Sequence, residues 1–210
     1  MSTLPQQFEN AVASNEAAEQ LARELQPLVR QAGALLPQAV QDALRGEWLG
    51  HPLHPALVHL PLGGWIAAAA LDAWPGGDED TEKAADLALL LATLGALPTL
   101  AAGWTEWAEL QRQPRRTGVI HGLMEETAFF LNVTSLLARR KGKRRLGKLL
   151  SGAGLGLARA GCWAVNWCTG TAWASRRPGV RWFRRTSEKG DQKNEDPGRA
   201  HSSGHRSSLG

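Results

Sequence analysis

The chain has 210 residues, no tyrosine and two cysteines. Those cysteines, Cys162 and Cys168, define no redox compartment by themselves. No C-x-H…C-x-x-H pattern occurs, so the chain offers no ligand set for a Rieske-type iron–sulfur cluster. It also lacks a nucleophile elbow, a Walker loop, a Rossmann fingerprint and a metalloprotease motif, and no catalytic activity of its own is expected. Gly152-Ala153-Gly154-Leu155-Gly156 has no strand before it and reads as helix-packing glycine rather than a phosphate cradle. Residues 1–10 are polar, without the basic start and apolar stretch of a secretory signal. The first membrane helix is therefore expected to act as the insertion signal.

Long apolar runs are what the chain does have. Mean hydropathy is slightly negative, but polar ends dilute an apolar middle. Four apolar segments stand out, at 56–74, 84–104, 118–138 and 146–167. About 20 helical residues at 1.5 Å rise cross a hydrocarbon core of about 30 Å, and each segment is of that order. The second is the most uniform, with no charge after Asp86 and no polar stripe of the kind a soluble helix shows. The third carries Glu125 and Glu126. Trp74, Trp104 and Trp107 fall where an interfacial aromatic belt would lie. Small residues recur at four-residue spacing, at Gly95, Thr99 and Gly103 and again at Gly152 and Gly156, which lets helix backbones approach. The fold class implied is all-α: a four-helix transmembrane bundle over 47–161, preceded by a soluble amphipathic helical region at 1–46. In that region Phe8, Val12, Leu21, Leu25 and Leu28 recur at helical spacing, Pro27 and Pro37 punctuate it, and Gly46 suits a helix end. It is expected to pack on itself or on the lipid surface.

Loop charge suggests an orientation. The 75–83 loop is acidic and the 139–148 loop strongly basic, and in a four-helix bundle the two share a side. Lysine and arginine resist translocation, so the basic loop is expected to be cytoplasmic in a multi-pass protein of the cell (inner) membrane. Arg112, Arg115 and Arg116 in the middle loop argue the other way. The basic run is read as topogenic, so lipid is expected as a partner and nucleic acid is not.

Three of the six histidines fall between Gly50 and Leu62, interrupted by Pro52, Pro55 and Pro61. The prolines are expected to keep His51 and His54 in an extended, re-entrant stretch, with His59 in the first turn of the first membrane helix. His121 is expected in the first turn of the third. Helices one and three run parallel, so His59 and His121 could approach one centre. Bis-imidazole haem ligation, a mononuclear metal held by His51, His54, His59 and His121, and plain hydrogen bonding to backbone carbonyls compete as readings. Glu125 and Asp72 are the candidate polar intramembrane residues: Glu125 shares a helical face with His121, and Asp72 lies near the opposite interface, as an interfacial residue rather than a relay.

The run Trp48-Leu49-Gly50-His51-Pro52-Leu53-His54-Pro55-Ala56-Leu57-Val58-His59-Leu60-Pro61-Leu62 resembles the opening motif of the bacterial membrane family called domain of unknown function 2231. Asp72, Gly103-Trp104-Thr105-Glu106-Trp107, Arg116 and His121-Gly122 agree with that resemblance, which covers about residues 45–161. It implies a four-helix membrane module, and a subgroup of such proteins is similar to fusions with a C-terminal Rieske domain. The function expected is association with electron transfer and a redox partner protein through a histidine-lined site, haem being the candidate cofactor. A structural membrane anchor is the alternative, and proton or small-solute transport a third.

After Gly161 the chain departs from the family's pattern, and a Ser/Gly/Arg/Lys-rich tail over 162–210 has the composition of disorder. Shifting the frame at the last base of the Gly161 codon lets codons 162–175 spell Leu-Leu-Gly-Gly-Glu-Leu-Val-Tyr-Arg-His-Gly-Val-Gly-Val, the family's ending. Only wobble bases are free in that reading. A frameshift near residues 157–161 is the expectation, and it would explain the missing tyrosine. Sequencing the coding DNA tests it: one wobble base incompatible with the shifted reading removes the idea.

Overall fold

The computed structural model describes Gln7 and residues 15–165. Its elements are α1 (Glu16–Ala34), α2 (Gln38–Arg45), a 3-10 turn (Glu47–Leu49), α3 (Leu53–Leu57), α4 (His59–Asp72), α5 (Glu79–Trp107), α6 (Arg112–Arg140) and α7 (Arg144–Val165). There is no strand among the described residues. Of the expected 162–210 tail, only residues 162–165 are described, as the end of α7. Its expected disorder, Cys168, Trp167, Phe8 and Val12 lie outside the described residues.

α5 and α6 outrun their apolar segments at both ends because polar sequence caps them. Asp78 starts α5 by accepting from the Thr81 N–H at 2.9 Å and the Thr81 hydroxyl at 2.7 Å, which holds its carboxyl below the usual range. α6 closes on Gly142 at φ 72°, with the Lys143 N–H returning to the Ala138 carbonyl and the Gly142 N–H to that of Arg139. That tight ending turns the chain straight into α7.

The His-Pro stretch is not extended. His54 and Pro55 lie in α3, because a proline in a first helical turn gives up an N–H that had no partner there anyway. Pro61 acts differently. It cannot donate to the Leu57 carbonyl, and the helix breaks at Val58 between α3 and α4. Beyond the break, Pro61, Trp65 and Ala68 form one buried face of α4. This face meets α5 closely. A Cβ on Gly64 would lie 2.6 Å from that of Ala92, and Trp65 Nε1 donates to Thr93 Oγ1 at 3.3 Å. The surrounding core is built of small side chains, Ala68, Ala92, Ala96, Ala128 and Ala158, with Trp65 and Leu89.

Two stretches are long and apolar enough to cross a membrane, Leu53–Asp72 and Glu79–Trp107. The expected third and fourth spans, now α6 and α7, do not meet that criterion among the described residues. The physical reason for α6 is its inward face. His121, Glu125, Ala128, Asn132, Ser135 and Arg139 are all buried, at alternating spacings of three and four. Its outward positions include Thr127, Phe130, Thr134 and Leu137. Both threonine hydroxyls donate to their own helix, to Leu123 and Phe130 carbonyls at 2.7 and 2.8 Å, which leaves their methyl groups outward.

α7 answers that face with glycines. Cβ atoms on Gly147, Gly154 and Gly161 would lie 2.5 Å from Arg139 Cγ, 2.7 Å from Asn132 Nδ2 and 3.0 Å from Glu125 Oε1. The glycines that make close contact are thus seven residues apart. Gly152 and Gly156, the pair the four-residue spacing suggested, meet nothing within 4 Å.

At the α6–α7 turn, Arg139 is buried against Asp72 and bonds Asp86 at 2.8 Å and Ser135 at 3.1 Å. Arg144 reaches Glu82 at 2.9 Å and Asp86 at 3.1 Å, and Lys148 donates to the Asp72 carbonyl at 3.0 Å. Asp72, expected as a simple interfacial residue, is the hub of this network. The acidic and basic loops do share an end.

α1 packs neither on itself nor away from the bundle. Ala18, Ala22 and Gln26 bury one face, with Ala22 in a cluster with Trp107, Leu110 and Val119. Pro27 lies inside α1 without ending it, and Pro37 precedes α2. Gln26 Nε2 donates to the Ala108 and Leu110 carbonyls at 3.0 and 2.8 Å, taking up acceptors that the end of α5 leaves over. Arg115 and Arg116, expected in a loop, belong to α6 and hold Glu19.

The Arg116 hydrogen bond first, then Arg23, pull the Glu19 carboxyl from its ordinary 4.5 to about 2. A depressed carboxyl stabilises the docked helix fully above pH 4.5, and that contribution disappears as pH falls toward 2. Hydrogen exchange followed by mass spectrometry should show protection of residues 16–34 dropping across this window. Glu19→Gln should remove the step.

Candidate functional site

At the end of the bundle opposite Asp72, α3, α5, α6 and α7 converge. His54 is 6 % exposed and His121 5 % exposed. The His54 backbone N–H donates to Glu106 Oε1 at 3.0 Å, and its Nδ1 lies 2.9 Å from the Thr99 carbonyl. A carbonyl can only accept, so Nδ1 carries a hydrogen. The ring rests on Gly103, where a Cβ would stand 2.8 Å from Nδ1. Thr99 and Gly103 are two of the small residues that the sequence set at four-residue spacing on this helix.

The His121 ring approaches that of His54 edge-on, with centroids 6.1 Å apart. Its Nδ1 is 3.8 Å from Glu125 Oε1, one helical turn on. Cys162 sulfur lies 3.9 Å from the same oxygen, and Gly161 leaves room for both His121 and Glu125. Two tryptophans wall the site. Trp104 Nε1 donates to Glu126 Oε1 at 2.7 Å, Trp107 Nε1 to the Arg115 carbonyl at 2.8 Å, and the two rings meet at 5.0 Å. Gly118 and Gly122 make space for them. Two small cavities adjoin the cluster, and His54, Leu100 and Glu125 line both.

Of the histidines singled out in the sequence, the structure brings His54 and His121 together. His51 and His59 are exposed. His59 opens α4 two residues before Pro61, about 200° around the helix from that buried position, so it turns outward. The proposed approach of His59 to His121 is therefore replaced by His54 to His121. His121 also sits deeper than a first turn, since α6 begins at Arg112. Among the described residues, no three His, Cys, Asp or Glu side chains form a group that could hold a metal ion. Glu125 is buried beside His121, as its spacing suggested. Glu106 was not among the sequence candidates. Its place in the Gly103–Trp107 motif was the available signal.

The architecture is a helical module with two membrane-length apolar helices and a buried histidine–carboxylate cluster at one end. The family described as "Predicted membrane protein (DUF2231)" matches residues 50–177, and the chain belongs to it. The match runs beyond Gly161, where the resemblance was expected to stop. No curated protein and no solved structure matches the chain.

Gly103→Ala should cost about 1–3 kcal/mol of stability, because the His54 ring is tied at Thr99 and its backbone at Glu106, so it cannot yield to a new Cβ. Gly156→Ala meets open space and should be neutral or stabilising by up to about 1 kcal/mol. Thermal unfolding of both variants in detergent micelles checks the contrast.

Proposed function

We propose that the chain is a multi-pass module of the cell membrane, without catalytic activity of its own, that exchanges protons at the His54–His121–Glu125 cluster on behalf of a redox partner protein. The observation that carries this reading is two imidazoles and a carboxylate buried together at one end of the bundle, apart from the Arg139–Asp72 charge network at the other. Such groups are costly in lipid unless they work. His54 Nδ1 carries a hydrogen toward the Thr99 carbonyl, and an imidazole whose second nitrogen is unprotonated has both the donor and the acceptor a relay needs. α6 and α7 are read as crossing the bilayer too: α6 turns its polar residues inward, and α7 exposes Leu146, Leu149, Ala153 and Ala160. The 139–148 turn is read as cytoplasmic because it keeps exposed cations after its inner ones are neutralised. The class of partner, an iron–sulfur electron carrier, is read from the resemblance of the sequence motifs to a subgroup of Rieske fusions. The residues after Gly161 are read as a shifted frame of the family's own ending.

Haem ligation by His54 and His121 is the weaker form of the redox reading. A macrocycle would need the space where Gly103 meets His54 and Gly122 meets Trp104. A structural anchor is the second reading, favoured by the bonds that tie α3 to α5 through His54.

Infrared pH titration of the purified protein separates these. The proton reading expects a titrating carboxyl band that vanishes in Glu125→Gln and shifts in His121→Gln. A spectrum with no Glu125 band titrating across roughly pH 4–10 overturns the proton reading. A Soret band lost in His54→Ala would instead establish haem. Flux across vesicles that depends on Glu125 would point to transport.

A further inference from the structure

The basic turn between α6 and α7 divides its cations into two sets. Arg139, Arg144 and Lys148 turn inward and are taken up by Asp72, Glu82 and Asp86. Arg140, Lys141, Lys143 and Arg145 are exposed, and none forms an ion pair among the described residues. The acids at this end are already engaged. Glu79 and Asp80 hold Lys83 at 2.8 and 3.6 Å, and Asp78 caps α5. What remains facing outward is four positive charges on six residues of chain, at a turn closed by the Gly142 and Lys143 N–H bonds back to Arg139 and Ala138.

Leu137 is 51 % exposed, Leu146 46 % and Leu149 72 %. These leucines flank the turn on its two helices. An occupant must therefore offer negative charge next to hydrocarbon. α7 also begins here with no acidic residue in its first turn, so its N-terminal dipole adds to the attraction.

We propose that the Arg140–Arg145 turn is a binding site for the phosphate headgroup of an anionic phospholipid, whose acyl chains lie along Leu137, Leu146 and Leu149. The inner cations fix the turn and the outer ones bind. This site is remote from the histidine cluster and independent of its role.

The test is native mass spectrometry of the full chain released from nanodiscs holding equal phosphatidylglycerol and phosphatidylcholine. Wild-type protein should retain phosphatidylglycerol preferentially. The variant Arg140→Gln/Lys141→Gln/Lys143→Gln/Arg145→Gln, all at exposed positions, should lose roughly tenfold or more of that preference with unchanged thermal unfolding. Arg159→Gln, exposed on the same helix but outside the turn, should keep it. Equal retention of the two lipids, or an unchanged preference in the quadruple variant, overturns the site. Displacement of the lipid by millimolar inorganic phosphate would assign a soluble anion instead. Displacement by a short oligonucleotide would assign a nucleic acid. Either outcome overturns the lipid assignment.

Discussion

The structure depends on how α6 and α7 meet. Three buried polar residues of α6, Glu125, Asn132 and Arg139, follow one another at seven-residue spacing. Three glycines of α7, Gly161, Gly154 and Gly147, stand opposite them in reverse order. Seven residues are two helical turns, so both rows keep facing each other along an antiparallel pair. Any side chain at those glycines would occupy the space that the polar groups use. Across the contact Ser135 donates to the Gly147 carbonyl at 2.7 Å, while Asn132 donates within its own helix to the Ala128 carbonyl at 2.8 Å.

This pairing sets the positions of both polar ends. At one end it brings Arg139 under Asp72 and Asp86, which joins the α4–α5 hairpin to the α6–α7 hairpin through charge. At the other it holds Glu125 and His121 against Gly161, where α3 delivers His54. Between them the core is mostly alanine, and small side chains give little apolar burial but allow close backbones. α1 completes the histidine end by covering Trp107 and Leu110 and by donating Gln26 to the last carbonyls of α5.

Much of the helical frame was legible in the sequence. The second and third apolar segments lie inside single helices, while the first is split between α3 and α4, and the Gly95/Thr99/Gly103 row does face the first hairpin partner, with Gly95 against Leu60 and Gly103 against His54. The boundaries were not legible, because caps such as Asp78 and Gly142 lie in polar sequence that apolar counting ignores. The histidine pair was half legible. His121 and Glu125 follow from one helix's periodicity, but choosing His54 over His59 required knowing that Pro61 breaks the helix at Val58 and turns His59 outward. Gly152 and Gly156 satisfied a spacing rule and pack on nothing described, since spacing alone does not say which face meets a neighbour.

The sequence by itself determined that this is a helical chain with membrane-length apolar stretches, since hydropathy and helical period are local properties that the neighbouring residues already contain. It also determined that acid and base loops would lie at one end, because alternating helices must return there. Only tertiary structure decided which charges turn inward, which glycines carry the contact and which histidine meets His121. Those depend on the rotation of each helix about its axis, and that rotation is set by packing between segments far apart in the chain.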